Sequence, residues 1–236
     1  MIESRPLVAM IHAVPTGAST AKSAFDREFP EARVWNLLDD RLLGDARSAG
    51  RLTEALRRRM LRLIGHAVDG GAQGLLLTCS SYGEVVDTAR TLWHVPLLKA
   101  DEAMFRVALA GDWDRIAVVA STPPAVPAAA AQLEALAPAV RSDRPVEIVT
   151  ALSEDAGSAD DPLAAARHLA RALHSAGAAD VQAVLLAQYS LAPAGPALAD
   201  LLGVPVLDGA GAAAVELRGL LTGPTEPDRP TTAAAS

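Results

Sequence analysis

Apolar residues along this chain fall into two alternating patterns. Short, nearly continuous apolar runs occur at residues 6–11, 33–38, 74–78 and 96–98, and again at 115–120, 146–150, 182–187 and 205–207. Runs of this length that do not alternate with polar residues fit parallel strands covered on both faces. Between them the period becomes helical. Leu56, Met60, Leu63 and Ala67 recur at helical spacing behind Thr53, a suitable N-cap, and the pattern stops at Gly70-Gly71. Further helices are expected from Gly83 onward and near 126–137, 162–175 and 211–221; Asp161-Pro162 supplies a capping side chain and then a proline at the first helical position. The Arg57-Arg58-Arg59 run is expected to face solvent.

The pattern also repeats. Leu75-Leu76-Leu77-Thr78-Cys79-Ser80-Ser81 resembles Val184-Leu185-Leu186-Ala187-Gln188-Tyr189-Ser190, which lies 109 positions further on. Val95-Pro96-Leu97 matches Val204-Pro205-Val206, and Leu7-Val8-Ala9-Met10-Ile11 matches Ile116-Ala117-Val118-Val119-Ala120, in the same register. Repeats in one register mark one structural unit used twice. The expected fold is therefore α/β: two pseudo-symmetric Rossmann-like lobes, each with a parallel four-stranded sheet flanked by helices, and an active site between them. Residues 1–100 plus 209–222 are assigned to the first lobe, 101–208 to the second, and 223–236 to a disordered tail.

Ligands of open parallel sheets bind beyond the carboxyl ends of the strands. The repeat places four loops there: His12-Ala13, Cys79-Ser80-Ser81, Ser121-Thr122 and Gln188-Tyr189-Ser190. A pseudo-twofold axis would set Cys79 opposite Gln188, with hydroxyls and amides on both sides, which suits a carboxylate.

Composition narrows the choice of ligand. Half of the residues are hydrophobic, 21% are charged, and the formal net charge is -7 with Lys22 and Lys99 as the only lysines, so no broad positive field exists for nucleic acid. No apolar stretch is long enough for a membrane span or a signal core, and a cytoplasmic location is expected. Cys79 is the single cysteine, which excludes an intrachain disulfide and a thiolate-rich metal cage. Neither glycine-rich nucleotide motif is present, and no cofactor or metal is expected.

A thiol at a strand end, followed by hydroxyls and a helix start, is expected to have a lowered pKa and to exchange protons with carbon. Tyr189 and Tyr82 stand beside the two motif centres and read as packing, stacking or proton-donor positions. The segment Lys99-Ala100-Asp101-Glu102 reads as a surface ion-pair cluster near the cleft. His66, His94, His168 and His174 have weaker claims than His12.

Taken together, the Thr78-Cys79-Ser80-Ser81 strand end, the Val95-Pro96 and Val204-Pro205 pairs, Ile11-His12 and Ala187-Gln188-Tyr189-Ser190 resemble the aspartate/glutamate/hydantoin racemase superfamily, which also contains maleate isomerases and arylmalonate decarboxylases. The resemblance spans nearly all of residues 5–222. It implies a cofactor-independent racemase or isomerase, two lobes closing over a small carboxylate, and commonly a homo-oligomer. In the family one cysteine per lobe typically acts as acid and base. Here Cys79 fills the first position and Gln188 the second, and an amide cannot exchange a proton at neutral pH. The resemblance thus assigns acid/base work to Cys79 with Gln188 and Tyr189 beside the reacting carbon, and substrate binding to His12, Ser80, Ser81, Ser121, Thr122 and Ser190. Decarboxylation, or a non-catalytic carboxylate-binding module, remains open.

Overall fold

The computed structural model describes residues 5–141 and 144–223. The expected tail lies outside them except for Gly223. Among the described residues eight strands occur in chain order: β1 (Leu7–His12), β2 (Arg33–Leu38), β3 (Gly74–Leu77), β4 (Leu97–Leu98), β5 (Arg115–Ala120), β6 (Glu147–Leu152), β7 (Ala183–Leu186) and β8 (Val206–Asp208). They form two four-stranded sheets, ordered β2-β1-β3-β4 and β6-β5-β7-β8, in which neighbouring strands pair in parallel. The helices are α1 (Pro15–Glu28), α2 (Leu42–Ala49), α3 (Glu54–Asp69), α4 (Gly83–Leu92), α5 (Glu102–Ala110), α6 (Ala125–Val140), α7 (Glu154–Gly157), α8 (Pro162–Ser175), α9 (Gly195–Leu202) and α10 (Gly209–Thr222). None among the described residues is long and apolar enough to cross a membrane.

The continuous apolar runs follow from coverage on both faces of each sheet. Alternate strand residues point to opposite sides. Val8, Met10, Leu76 and Leu98 pack with Phe25 of α1 and Ala213 and Leu217 of α10, whereas Ala9, Ile11, Leu75 and Leu77 pack with Met60 and Ile64 of α3 and Val85 of α4. The second sheet repeats the arrangement: Ile116, Val118 and Leu185 meet Met104 and Phe105 of α5 and Leu133 of α6, while Val119, Val184 and Leu186 meet Leu169 of α8 and Leu198 of α9. Each fully buried aliphatic side chain contributes about 1.5–3 kcal/mol. Because α5 leaves the first sheet to cover the second, and α10 leaves the second to cover the first, the two halves are cross-braced.

Local signals operate as their chemistry requires. Thr53 accepts from the Leu56 N–H and Asp161 from the Ala164 N–H, capping α3 and α8. On α3 the innermost apolar position is Ile64, with Leu63 only half-buried, because the helix is rotated to set Leu56, Met60, Ile64 and Ala67 on the sheet. Helix α1 has little apolar periodicity, since three of its four buried residues are Gly17, Ala21 and Ala24.

Candidate active site

The central strands of each sheet end at a clamp. In the first half His12, the last residue of β1, is 0% exposed and joins two neighbours. Its Nδ1 lies 2.8 Å from the Thr78 Oγ1 and its Nε2 lies 2.9 Å from the Asn36 Oδ1. The Asn36 carbonyl oxygen can only accept, so Nε2 carries the proton and the Thr78 hydroxyl donates to Nδ1. Burial lowers the His12 pKa and outweighs the Asn36 bond, which keeps the ring neutral. A Cβ at Gly17 would stand 3.1 Å from the Thr78 Oγ1, so α1 approaches this clamp closely. Both ring nitrogens of His12 are engaged and the ring has no exposed surface. Its role is to fix Thr78, and with it the neighbouring Cys79.

In the second half Ser121 stands where the repeat places His12. Its backbone N–H and its hydroxyl both donate to the Gln188 Oε1, the hydroxyl at 2.9 Å. A backbone N–H only donates, so the carbonyl oxygen of Gln188 must face Ser121, leaving the NH2 as the end of the side chain available to a ligand. Gln188 is half-buried and Ser121 buried. Gly157 lies so close that a Cβ there would come 2.8 Å from the Ser121 Oγ, which seats α7 against this clamp. Ser121 is therefore already engaged in holding Gln188. Ser80, Ser81 and Ser190 are exposed and Thr122 half-buried, so their hydroxyls stand at the open ends of the sheets.

Cys79 follows β3 directly and is half-buried. A single turn of 3-10 helix over Ser80–Tyr82 separates it from α4. Burial raises its thiol pKa; the Ser81 backbone and side chain and the Tyr82 N–H favour the thiolate, while the charge of Asp101 opposes it. The expectation of a lowered thiol pKa is corrected accordingly. The long helix begins four residues away, too far for its dipole to offset desolvation. The resting group is a protonated thiol.

Both tyrosines are structural in this geometry. The Tyr82 hydroxyl donates to the Leu42 carbonyl at 2.7 Å within the first core, and burial pushes its pKa up to about 12. Tyr189 reaches across to the first half and donates to the Ala100 carbonyl at 3.0 Å, and burial raises its pKa well above the usual phenol value. A catalytic proton from Tyr189 would require breaking that bond, so the structure shifts it toward holding the two halves together.

The charged cluster before α5 separates. Lys99 pairs with Asp87 at 2.7 Å, and Glu102 pairs with Arg90 and Arg106, each at 2.6 Å. Asp101 turns inward and is 6% exposed. Burial raises its pKa to about 7. Pattern reading did not single it out, because only the fold distinguishes it from Lys99 and Glu102, which are half-buried in ion pairs. Among the described residues no three His, Cys, Asp or Glu side chains gather as a metal site. Two open cavities, of about 370 Å³ beside Ser153, His168 and Arg171 and about 440 Å³ beside Arg62, His66 and Trp93, are lined by neither Cys79 nor Gln188.

The profile of the Asp/Glu/hydantoin racemase family matches residues 18–217. This chain belongs to that family. Its fold is shared with glutamate racemase from Thermus thermophilus in complex with β-chloro-D-alanine (TM-score 0.60, 19% identity, covering 93% of this chain and 81% of that one). It is shared also with allantoin racemase from Klebsiella pneumoniae (0.67, 20%, 92% and 89%) and with an arylmalonate decarboxylase (0.58, 18%, 91% and 93%). Comparison with curated protein sequences found no match. The chain carries a single cysteine, Cys79, and has an amide, Gln188, at the position that the repeat matches to it.

Proposed function

We propose that the protein is a cofactor-independent enzyme of the racemase/isomerase type, acting on the carbon next to a carboxylate or carbonyl of a small acid, with Cys79 as the acid/base. The observation that carries this reading is the pairing of Cys79 and Gln188 at equivalent ends of two repeated sheets, each held by its own clamp through Thr78 and Ser121. In this reading the Cys79 thiolate takes the proton from the carbon, and the electron pair moves into the adjacent carbonyl or carboxylate. The Gln188 NH2 and the hydroxyls of Ser80, Ser81, Thr122 and Ser190 donate to the oxygens that gain charge. The same thiol then returns the proton, giving one-base exchange, isomerisation or tautomerisation. A small carboxylate is the expected ligand; self-association and a cytoplasmic location belong to the same proposal.

The raised thiol pKa favours decarboxylation as the second reading. A protonated thiol is poised to donate, so a carbanion left by loss of CO2 would take the Cys79 proton directly, and water would restore the thiol.

Incubation in D2O with a panel of small mono- and dicarboxylates, followed by NMR, separates these readings. The first predicts exchange of the α-hydrogen for deuterium without net consumption, and the second predicts CO2 release with deuterium in the product. In both, Cys79→Ser should lower the rate by at least about 10²-fold. Binding without turnover, unaffected by Cys79→Ser, would make the protein a carboxylate-binding module instead.

A further inference from the structure

Asp101 is the one charged side chain of the Lys99–Glu102 cluster that the fold leaves without a partner. Among the described residues no hydrogen bond or ion pair reaches its carboxylate, and although it heads α5 it makes no side-chain capping bond. It is 6% exposed, yet no fully buried side-chain oxygen among the described residues lacks a partner, so its carboxylate oxygens must still touch open space. β3 and β4 pair Leu75 with Leu97 and Leu76 with Leu98; Cys79 follows β3 by two residues and Asp101 follows β4 by three, so both stand beyond the carboxyl ends of neighbouring strands, close enough for the Asp101 charge to act on the Cys79 thiol. The start of α10 closes over the same point: a Cβ at Gly209 would come 3.0 Å from the Asp101 Oδ1, 3.0 Å from the Tyr189 ring and 2.5 Å from the Ala100 carbonyl.

We propose that Asp101 is the ionisable partner of Cys79, a carboxyl group beside the thiol that exchanges a proton with it, so that the second proton-carrying group comes from the β4–α5 junction and not from Gln188. The proposal rests on the carbon-acid reading above. The carboxylate takes the thiol proton, leaving a thiolate and a neutral carboxylic acid; the thiolate removes the proton from substrate carbon and later returns it; Asp101 then gives its proton back to sulfur. No other atom or electron changes place. Asp101 acts through Cys79 and does not touch substrate.

The surroundings suit this exchange. Tyr189 faces Asp101 from the second half with its hydroxyl engaged on Ala100. Asp208, across the α10 start, caps the Gly211 N–H at 2.8 Å and lies near Arg27 of α1. Lys99 and Glu102 are turned to Asp87, Arg90 and Arg106. With burial alone acting on it, the carboxyl titrates near neutrality and not in the usual carboxylate range.

The test follows Cys79 alkylation by iodoacetamide in the full-length protein, read by intact mass across pH, for wild type, Asp101→Asn, Asp101→Ser and Asp101→Glu. Removing the charge should lower the apparent thiol pKa and speed alkylation up to ~10-fold at mildly alkaline pH, the effect of one pKa unit. Asp101→Asn and Asp101→Ser should agree, and Asp101→Glu should restore the wild-type profile. Identical profiles in wild type and both uncharged variants would overturn the proposal. With a substrate in hand, deuterium exchange in Asp101→Asn should lose the rise in rate through pH ~7 that wild type shows; an unchanged profile would overturn it too. A thiol shift without exchange of any acid in wild type would support the pair and refute only the carbon-acid reading. Exchange that needs Cys79 but ignores Asp101 would refute only the pair.

Discussion

Asp101 also makes stability depend on pH in an unusual direction, and this can be measured without a substrate. An unfolded aspartate titrates near 3.8, whereas burial holds Asp101 near 7 in the folded protein. Between these values the native chain binds a proton that the unfolded chain has lost, so stability falls as pH rises through this window and levels off above 7. The gap is worth at most about 4 kcal/mol, at about 1.36 kcal/mol per pKa unit. Asp101→Asn keeps the shape and removes the charge, so it should match wild type near pH 4 and gain on it steadily up to pH 7, with no further gain above. Urea unfolding at a series of pH values, comparing midpoints at equal slope, supplies the numbers. A difference that stays flat from pH 4 to 8 would mean that Asp101 ionises normally in the folded state, and the argument from burial would fail.

His12 gives the opposite sign. Its folded pKa is depressed below 6.5, so the stability it contributes is present above that value and is lost as pH drops through it; His12→Gln should flatten the acid limb of a pH–stability curve measured by thermal melting. Gln188→Ala leaves the Ser121 N–H and hydroxyl without their acceptor and should destabilise by about 1–3 kcal/mol, while Gln188→Glu keeps the acceptor and should recover most of it in urea titrations. At Gly209 a methyl group would meet the Ala100 carbonyl at 2.5 Å, so Gly209→Ala should lower stability by about 1–3 kcal/mol in the same titrations and displace the Asp101 carboxyl, changing the alkylation profile of Cys79 as well.

The clamps explain what the family architecture asks of each half. Strand ends are the least restrained part of a parallel sheet, yet proton transfer needs groups held in place. His12 bonds Thr78 beside Cys79, and Ser121 bonds Gln188, so the same positions of the repeat hold the two strand ends with different chemistry. An amide cannot exchange a proton at neutral pH, so under the proposed carbon-acid chemistry the second ionisable group is Asp101, at the junction of β4 and α5.

Much of this was legible in the chain. Residues 7–11, 75–77, 116–120 and 184–186 are continuously apolar because both faces of each sheet are covered, and the 109-residue register puts Cys79 and Gln188 at equivalent strand ends. Capping by Thr53 and Asp161 is likewise local chemistry, readable from neighbours in sequence. Tertiary structure decided the rest. Only packing rotates α3 to bury Ile64 over Leu63, and only the crossing of α10 brings Gly209 against Asp101. The direction of the Cys79 shift, the sealing of His12 and the bond from Tyr189 to Ala100 arise in the same way. Periodicity reports which face of an element is apolar, but desolvation and partner choice depend on segments 22 to 89 positions away, whose distances no local pattern encodes.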